Sequence, residues 1–180
     1  MQRFIAFLRA INVGGRTVKM TELCARFEAL GFAGVASFIA SGNVIFESPA
    51  ADARALEERI ERELRTSLGY EVATFVRSPA EVVGIARYEP FPGAVARAEG
   101  TSLHVGFLRE PPSAEARAAL LGLRTDADEF HVQGREFYWL RRGRFSESTI
   151  TGARLERTLG MPTTMRNVNT VHRLAAKYPA

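Results

Sequence analysis

Two apolar segments of similar pattern, one in each half of the chain, constrain the fold more than any other feature. The first runs Phe4-Ile5-Ala6-Phe7-Leu8-Arg9, and the second runs His104-Val105-Gly106-Phe107-Leu108-Arg109. Each is a run of residues that favour β-structure and ends at an arginine. A helix-forming segment and a hairpin signal follow both runs. We therefore expect two halves of similar architecture, related by a diverged internal duplication.

The first half contains signals for six elements in the order β-α-β-β-α-β. The predicted elements are strand Phe4–Arg9, a helix from Thr21 to Gly31, strands Val35–Ala40 and Val44–Glu47, a helix from Ser48-Pro49 to Gly69, and strand Val72–Val76. The turn Ser41-Gly42-Asn43 joins the two middle strands. This order is that of the split-βαβ, ferredoxin-like arrangement.

The second half follows after a linking helix that opens with the capping box Ser78-Pro79-Ala80-Glu81. Its predicted elements are strand Leu103–Arg109, helix Ser113–Leu121, strands Glu129–Gln133 and Glu136–Leu140 around Gly134-Arg135, and helices Thr151–Leu159 and Arg166–Tyr178. The fold class we predict is α+β, an α/β sandwich of two ferredoxin-like halves with added C-terminal helices. The expected boundaries are residues 1–77, a linking segment 78–100, and residues 101–180.

Composition limits the cellular setting and the classes of partner. The formal net charge is +4, but nearly all of the basic residues are arginines, as in proteins from GC-rich genomes, so the charge alone does not indicate nucleic acid. No apolar run approaches the roughly 18 residues of a membrane span. The single cysteine, Cys24, cannot form an internal disulfide. We expect a cytoplasmic protein without membrane association.

The loop after the first strand is the first candidate ligand site. It carries Arg9, Asn12, Gly14, Gly15 and Lys19 between a strand and a helix. A Gly-Gly pair can adopt positive φ and bring backbone N–H groups close to an anion. The spacing matches neither a P-loop nor a dinucleotide fingerprint, so it indicates neither ATP nor NAD. A tight turn without a ligand is an equally good interpretation.

The segment before the C-terminus is the second candidate. It places Thr164, Arg166, Asn167, Asn169 and Thr170 in the first turns of the predicted last helix. Asparagine is a poor helix former, and arginine is unfavourable at the positive end of the helix dipole. A bound anion would relieve this conflict. Alternatively, Asn167 and Asn169 cap neighbouring backbone groups and hold the helix to the sheet.

Signals for catalysis, cofactors and metals are weak. The three histidines His104, His131 and His172 are far apart and have no ligand spacing. Cys24 lies beside an apolar helix stripe, and the acidic run at residues 126–129 is typical of a turn. The sequence therefore predicts neither a cofactor nor a metal, and it names no catalytic residue.

Three blocks carry a resemblance to a bacterial family known as domain of unknown function 1697. They are Phe7–Gly15 with Val18-Lys19-Met20, the hairpin Ser41–Phe46, and Thr164–Val171. The hairpin block adds Asn43 to the candidate site. Two departures are visible, since the family usually has Gly at the position of Ala10 and Trp at the position of Val168. The resemblance implies two ferredoxin-like halves and carries no activity.

The leading hypothesis is a binding protein for a phosphorylated or other anionic ligand, held between the Gly-Gly loop and the start of the last helix. The candidate residues are Arg9, Asn12, Gly14, Gly15, Lys19, Asn43, Thr164, Arg166, Asn167, Asn169 and Thr170. Three alternatives remain open: a single-stranded nucleic-acid module, because Gly42–Phe46 is similar to a strand of RNA-recognition folds; an enzyme acting on a small phosphorylated substrate; and a self-associating structural protein.

Overall fold

The computed structural model describes residues 1–11 and 14–180, with Ala94 described in its backbone alone. The chain divides into two compact units, the first comprising Met1–Gly84 with Leu174–Ala180 and the second Ile85–Arg173. Each unit contains one four-stranded antiparallel sheet with helices, which makes this an α+β protein. In the described part of the chain, no helix is long and apolar enough to cross a membrane.

The first unit is built on a sheet of strand order β2-β3-β1-β4. Its elements are β1 (Gln2–Leu8), α1 (Met20–Ala29), β2 (Ala33–Ser37), β3 (Asn43–Ser48), α2 (Ala53–Leu68) and β4 (Thr74–Arg77). The next helix, α3 (Pro79–Arg87), opens with the predicted capping box. The main-chain N–H of Ser78 donates to Glu81, and the N–H of Glu81 donates to the Ser78 hydroxyl, at 2.7 and 3.2 Å.

Apolar stripes on α1 and α2 cover one face of this sheet. The buried cluster includes Leu23 and Phe27 from α1, Leu56, Ile60 and Leu64 from α2, and Phe4, Ala6, Leu8, Val44 and Phe46 from the strands. Each large side chain of this kind stabilises the fold by about 1.5–3 kcal/mol when it leaves water. On β1 the alternate residues Ile5 and Phe7 are also fully buried, so neither face of this strand is open to solvent.

The predicted start of α2 at Ser48 is wrong. Ser48 is the last residue of β3, and its hydroxyl accepts a hydrogen bond from the N–H of Ala50. The helix is capped instead by Asp52, whose carboxylate accepts from the N–H of Arg54 at 3.0 Å. Both residues are good N-caps, and strand pairing of β3 with β1 decides between them because Ser48 lies opposite Gln2.

The second unit has strand order β6-β7-β5-β8. Its elements are α4 (Gly93–Ala96), β5 (Thr101–Phe107), α5 (Ala114–Leu121), β6 (Asp128–Gln133), β7 (Glu136–Arg142), a 3-10 turn (Phe145–Glu147), α6 (Gly152–Leu159) and β8 (Thr164–Asn167). The last helix, α7 (Val168–Lys177), begins in this unit, and its final residues belong to the first. The hairpin of β6 and β7 turns at the predicted Gly134, whose φ is 59°.

A buried polar network lies in the core of the second unit. The carboxylate of Asp128 accepts from Trp139 Nε1 at 2.9 Å, from Arg141 Nη1 at 2.8 Å, and from the Thr125 hydroxyl at 2.7 Å. Burial alone would raise the pKa of Asp128, but these hydrogen bonds and the Arg141 charge outweigh it and lower the pKa. Of the acidic run at residues 126–129, which was predicted to be a turn, residues 126 and 127 form a bend, and Asp128 begins β6 with its carboxylate fully paired.

The helix predicted from Arg166 begins two residues later, at Val168. Residues Thr164–Asn167 form β8, which pairs with β5 so that Arg166 lies opposite Val105. The polar composition of the segment gave no strand signal. Pairing with an open strand edge supplies the backbone hydrogen bonds that a first helical turn would otherwise provide.

Helix carboxylates accept from a backbone N–H at the start of β4 and at the residue just before β8 in the same way. Glu61 on α2 accepts from the N–H of Thr74 at 2.9 Å. Glu156 on α6 accepts from the N–H of Thr163 at 3.2 Å. Edge strands present unpaired N–H groups, and these carboxylates satisfy them without a further strand.

Candidate functional site

The Gly-Gly loop of the first unit adopts the backbone that its sequence requires. Gly14 and Gly15 have φ of 63° and 78°, in the left-handed region that favours glycine. Among the described residues, a Cβ at either position would meet no atom within 4 Å, so the loop is open to that part of the structure. The predicted ligand residue Asn12 lies outside the described residues.

The other first-unit candidates have different surroundings. Arg9 is half-buried and its main-chain N–H donates to Ala73, whereas Lys19 is exposed just before α1. Asn43 is fully buried, and its Nδ2 donates to the Phe38 carbonyl and the Ser41 hydroxyl. The Asn43 side chain therefore holds the β2–β3 hairpin together, a structural role that the sequence analysis did not assign.

Thr164 and Arg166 are buried in β8. Arg166 Nη1 donates to the Thr164 hydroxyl and to the Met165 carbonyl, both at 2.8 Å. Burial lowers the pKa of Arg166 to about 10, so the guanidinium keeps its charge at neutral pH. These contacts give the two side chains a structural role inside the unit.

Asn167 takes the capping role that the sequence analysis left open. Its Oδ1 accepts from the N–H of Asn169 at 2.9 Å, which satisfies one of the free donors at the start of α7. Asn169 is exposed and Thr170 is half-buried. All of the candidates from Thr164 to Thr170 belong to the second unit, and those from Arg9 to Asn43 belong to the first.

The second unit contains a cleft of about 620 Å³ that brings Asn167 and Asn169 together with residues from elsewhere in the chain. We call it the α3–α4 cleft, because the end of α3, the following segment and α4 form one wall. Its side chains include Arg87, Tyr88, Phe91, Arg97, Ser102, Val168 and His172. Neither Thr164 nor Arg166 lines it.

Charged and polar groups surround the α3–α4 cleft. Arg97 Nη2 lies 3.7 Å from Glu89 Oε1, and both side chains are largely exposed, at 80% and 70%. Arg87 has no carboxylate partner among the residues that the structure describes. His172 Nε2 donates to the Ala86 carbonyl at 3.0 Å, which leaves Nδ1 directed elsewhere. The cleft therefore presents two guanidinium groups that no strong ion pair neutralises.

Ser102 of β5 borders the cleft, but its side chain lies on the sheet face opposite to the Tyr138 ring that Tyr88 contacts. The Oγ atom of Ser102, at the start of β5, is shielded from solvent and makes no hydrogen bond within the described part of the chain.

Two aromatic residues of the cleft wall are fixed by contacts with the sheet. The Tyr88 hydroxyl lies 2.6 Å from His131 Nε2, and the Tyr88 ring lies 5.4 Å from the ring of Tyr138. Phe91 meets His131 edge to face, with centroids 6.4 Å apart. Burial, with a contribution from the Arg117 charge, lowers the pKa of His131, which keeps its imidazole neutral at pH 7.

Most residues of the cleft wall fall in the predicted linking segment 78–100, and none of these was predicted to be a site residue. The available signal was the alternation of arginines with aromatics and prolines in Arg87-Tyr88 and Pro90-Phe91-Pro92.

As for metals, the described residues include no group of three or more His, Cys, Asp or Glu side chains placed to hold an ion.

The fold and the cleft define an α+β protein with a ligand-sized cavity in one of its two units. The sequence profile of the family described as "Protein of unknown function (DUF1697)" matches residues 1–138, and the chain belongs to this family. The family description assigns no activity. A search of curated proteins finds no match.

A solved structure has the same fold along nearly the whole chain. It is a conserved bacterial protein from Streptococcus pneumoniae, which is 20% identical in sequence and has a TM-score of 0.72. The match covers 97% of this chain and 97% of that chain. At this identity the likeness establishes the fold and nothing about a ligand.

Proposed function

We propose that this protein binds a small anionic ligand, carrying a phosphate group, in the α3–α4 cleft. The observation that carries the proposal is the grouping of Arg87 and Arg97 with Asn169 around one cavity. Guanidinium groups bind phosphate oxygens through charge-assisted, often bidentate hydrogen bonds. The proposal keeps the anionic ligand predicted from the sequence and moves its site into one unit.

The size and electrostatics of the cleft support such a ligand. Its volume of about 620 Å³ falls within the range of roughly 300–1,000 Å³ that is usual for small-molecule sites. Glu89 is the acid among the lining residues, and its 3.7 Å contact with Arg97 is long for an ion pair. A phosphate at the cleft can therefore compete for Arg97 while Arg87 remains available.

The same structure argues against a nucleic-acid strand lying on either sheet. Each Phe, Tyr and Trp on the central strands β1, β3, β5 and β7 is at most 4% exposed. RNA-recognition sheets stack bases on exposed aromatic side chains of the central strands. A small ligand in the cleft is therefore the better proposal.

We also propose that both units are ferredoxin-like halves of an internal duplication. Their strand orders correspond element for element, since β2-β3-β1-β4 and β6-β7-β5-β8 are the same arrangement. The edge contacts of Glu61 and Glu156 correspond as well. Two halves that descend from one ancestral half are expected to share both their strand order and such individual contacts.

A binding experiment with a matched control tests the ligand proposal. We expect phosphate esters such as ribose 5-phosphate to raise the Tm of the full chain, because ligands that prefer the native state stabilise it. The double variant Arg87→Met/Arg97→Met should weaken the affinity, measured by calorimetry, about five-fold or more. Arg124 is exposed in the same unit and does not line the cleft, so Arg124→Met should bind as the wild type does.

Two results would reject the proposal. One is the absence of any Tm increase across phosphate, ribose 5-phosphate and nucleotides at millimolar concentration. The other is equal affinity in the double variant and in Arg124→Met, which would place the anion elsewhere.

A further inference from the structure

We infer that the ligand of the α3–α4 cleft is a nucleoside monophosphate, a phosphate ester joined through a sugar to a planar aromatic base. This inference rests on the proposed function and goes further, because it names the chemical class of the whole ligand. It depends on the part of the cleft that would not contact the phosphate group.

This part of the cleft is an aromatic wall, formed by Tyr88 and Phe91, whose side chains are held by contacts within the protein. Tyr88 is anchored by its 2.6 Å hydrogen bond to His131 and by its contact with the Tyr138 ring. Phe91 is held by its edge-to-face contact with the same histidine. Both rings are half-buried and line the cleft, so each also presents surface to it. A rigid aromatic surface binds a planar base without losing side-chain entropy on association.

Hydrogen-bonding groups suited to the polar edge of a base lie in the same cavity. The amide of the Asn169 side chain has no partner among the residues described, and it offers both a donor and an acceptor. With the two arginines for the phosphate, one cavity carries groups for each part of a nucleotide.

Other phosphate ligands leave part of this cleft without a counterpart. Inorganic phosphate would occupy only a small part of 620 Å³, and a sugar phosphate would leave the Tyr88 and Phe91 rings facing water. An unphosphorylated nucleoside would leave Arg87 and Arg97 unpaired. A nucleoside monophosphate supplies both a planar ring and a phosphate.

The test compares four ligands by calorimetry on the full chain: AMP, ribose 5-phosphate, adenosine and inorganic phosphate. We expect AMP to bind at least about five-fold more tightly than ribose 5-phosphate, as expected when one base stacks on an aromatic side chain. The variant Phe91→Leu keeps an apolar side chain and removes the ring. It should bring the ratio of the AMP affinity to the ribose 5-phosphate affinity close to one, and it should leave the ribose 5-phosphate affinity unchanged.

Phe145→Leu is the matched control, because Phe145 packs on His104 and Trp139 in the same unit and does not line the cleft. It should keep the AMP preference. Equal affinities for AMP and ribose 5-phosphate in the wild type would overturn the nucleotide inference and leave the anion proposal standing. Adenosine binding as tightly as AMP, or no binding by any of the four, would overturn both. The wild-type comparison needs no variant, so it remains decisive even if Phe91→Leu fails to fold.

Discussion

Arg77 and Arg166 occupy the same register position in two different sheets. Arg77 lies opposite Ile5 of β1, and Arg166 lies opposite Val105 of β5, the residue that matches Ile5 in the repeated pattern. Each donates through Nη1 to the carbonyl of the residue before it, at 3.0 Å for Arg77 and 2.8 Å for Arg166. Both are buried. A buried charge is costly, and its presence at one register in both units supports the proposed duplication.

The Asp128 network should dominate the local stability of the second unit. We expect Asp128→Asn to lower the free energy of unfolding by about 3 kcal/mol, because it leaves the buried Arg141 charge without its partner. The neighbouring Glu129→Gln, whose ion pair with Arg142 is exposed, should cost at most about 1 kcal/mol. Urea unfolding of the wild type and of the two variants measures both losses of unfolding free energy. Equal losses in the two variants would contradict the prediction.

The same network should make stability depend on acid pH. The pKa of Asp128 is lower in the folded protein than its ordinary value of 3.8, so below that value the unfolded chain binds more protons than the folded one. The contribution of Asp128 is therefore complete above about pH 4 and is lost as the pH falls through the folded-state pKa. Unfolding free energies measured between pH 2 and pH 6 should show a shallower acid slope for Asp128→Asn. An unchanged slope would show that Asp128 is not selectively stabilised in its charged form.

Ala10 should be a site of backbone strain. Its φ of 52° lies in the left-handed region, which costs a residue with a Cβ about 1 kcal/mol or more. Glycine adopts this φ without that cost. Ala10→Gly should raise the free energy of unfolding by about 0.5 kcal/mol, the relief of strain less the extra entropy of glycine in the unfolded chain. Ala118→Gly, at an exposed position inside α5, should instead destabilise by about 1 kcal/mol.

Binding in the α3–α4 cleft should depend on salt. Arg97 is largely exposed, and screening at ionic strengths above about 0.1 M acts over roughly 10 Å or less. We expect the AMP affinity to fall several-fold between low and high salt, and this dependence to be weaker in Arg87→Met/Arg97→Met. Calorimetric titrations at a series of NaCl concentrations give both slopes. Salt-independent binding in the wild type would argue against recognition of the phosphate by these arginines.

Local signals predicted those parts of the fold that depend on neighbouring residues. The capping box Ser78–Glu81 and the turn at Gly134 are confirmed, because each is decided within a few residues. The start of α2 and the nature of residues 164–167 were predicted wrongly. In both cases pairing with a distant strand determined the structure, and no short window of sequence contains that information.

The candidate site likewise contains some residues that local sequence signals indicated and others that they did not. Asn167 and Asn169 were selected for their unusual position at a helix start, and both line the cleft. Arg87, Phe91 and Ser102 were not selected, since they become neighbours only when β8 pairs with β5 and the segment after α3 packs nearby. Side chains from distant segments give no spacing pattern before the fold is known.

Two glutamates, which accept from Thr74 of β4 and from Thr163 just before β8, limit how far each sheet can extend. A strand from another molecule cannot pair with the start of these edges unless it first displaces Glu61 or Glu156. Sheet width at these edges is therefore limited by a helix side chain and not by the strand's own sequence. In this protein, residues of α2 and α6 protect two sheet edges from fibrillar assembly. A search for aggregation-prone segments that considers strand sequences alone would not detect this protection.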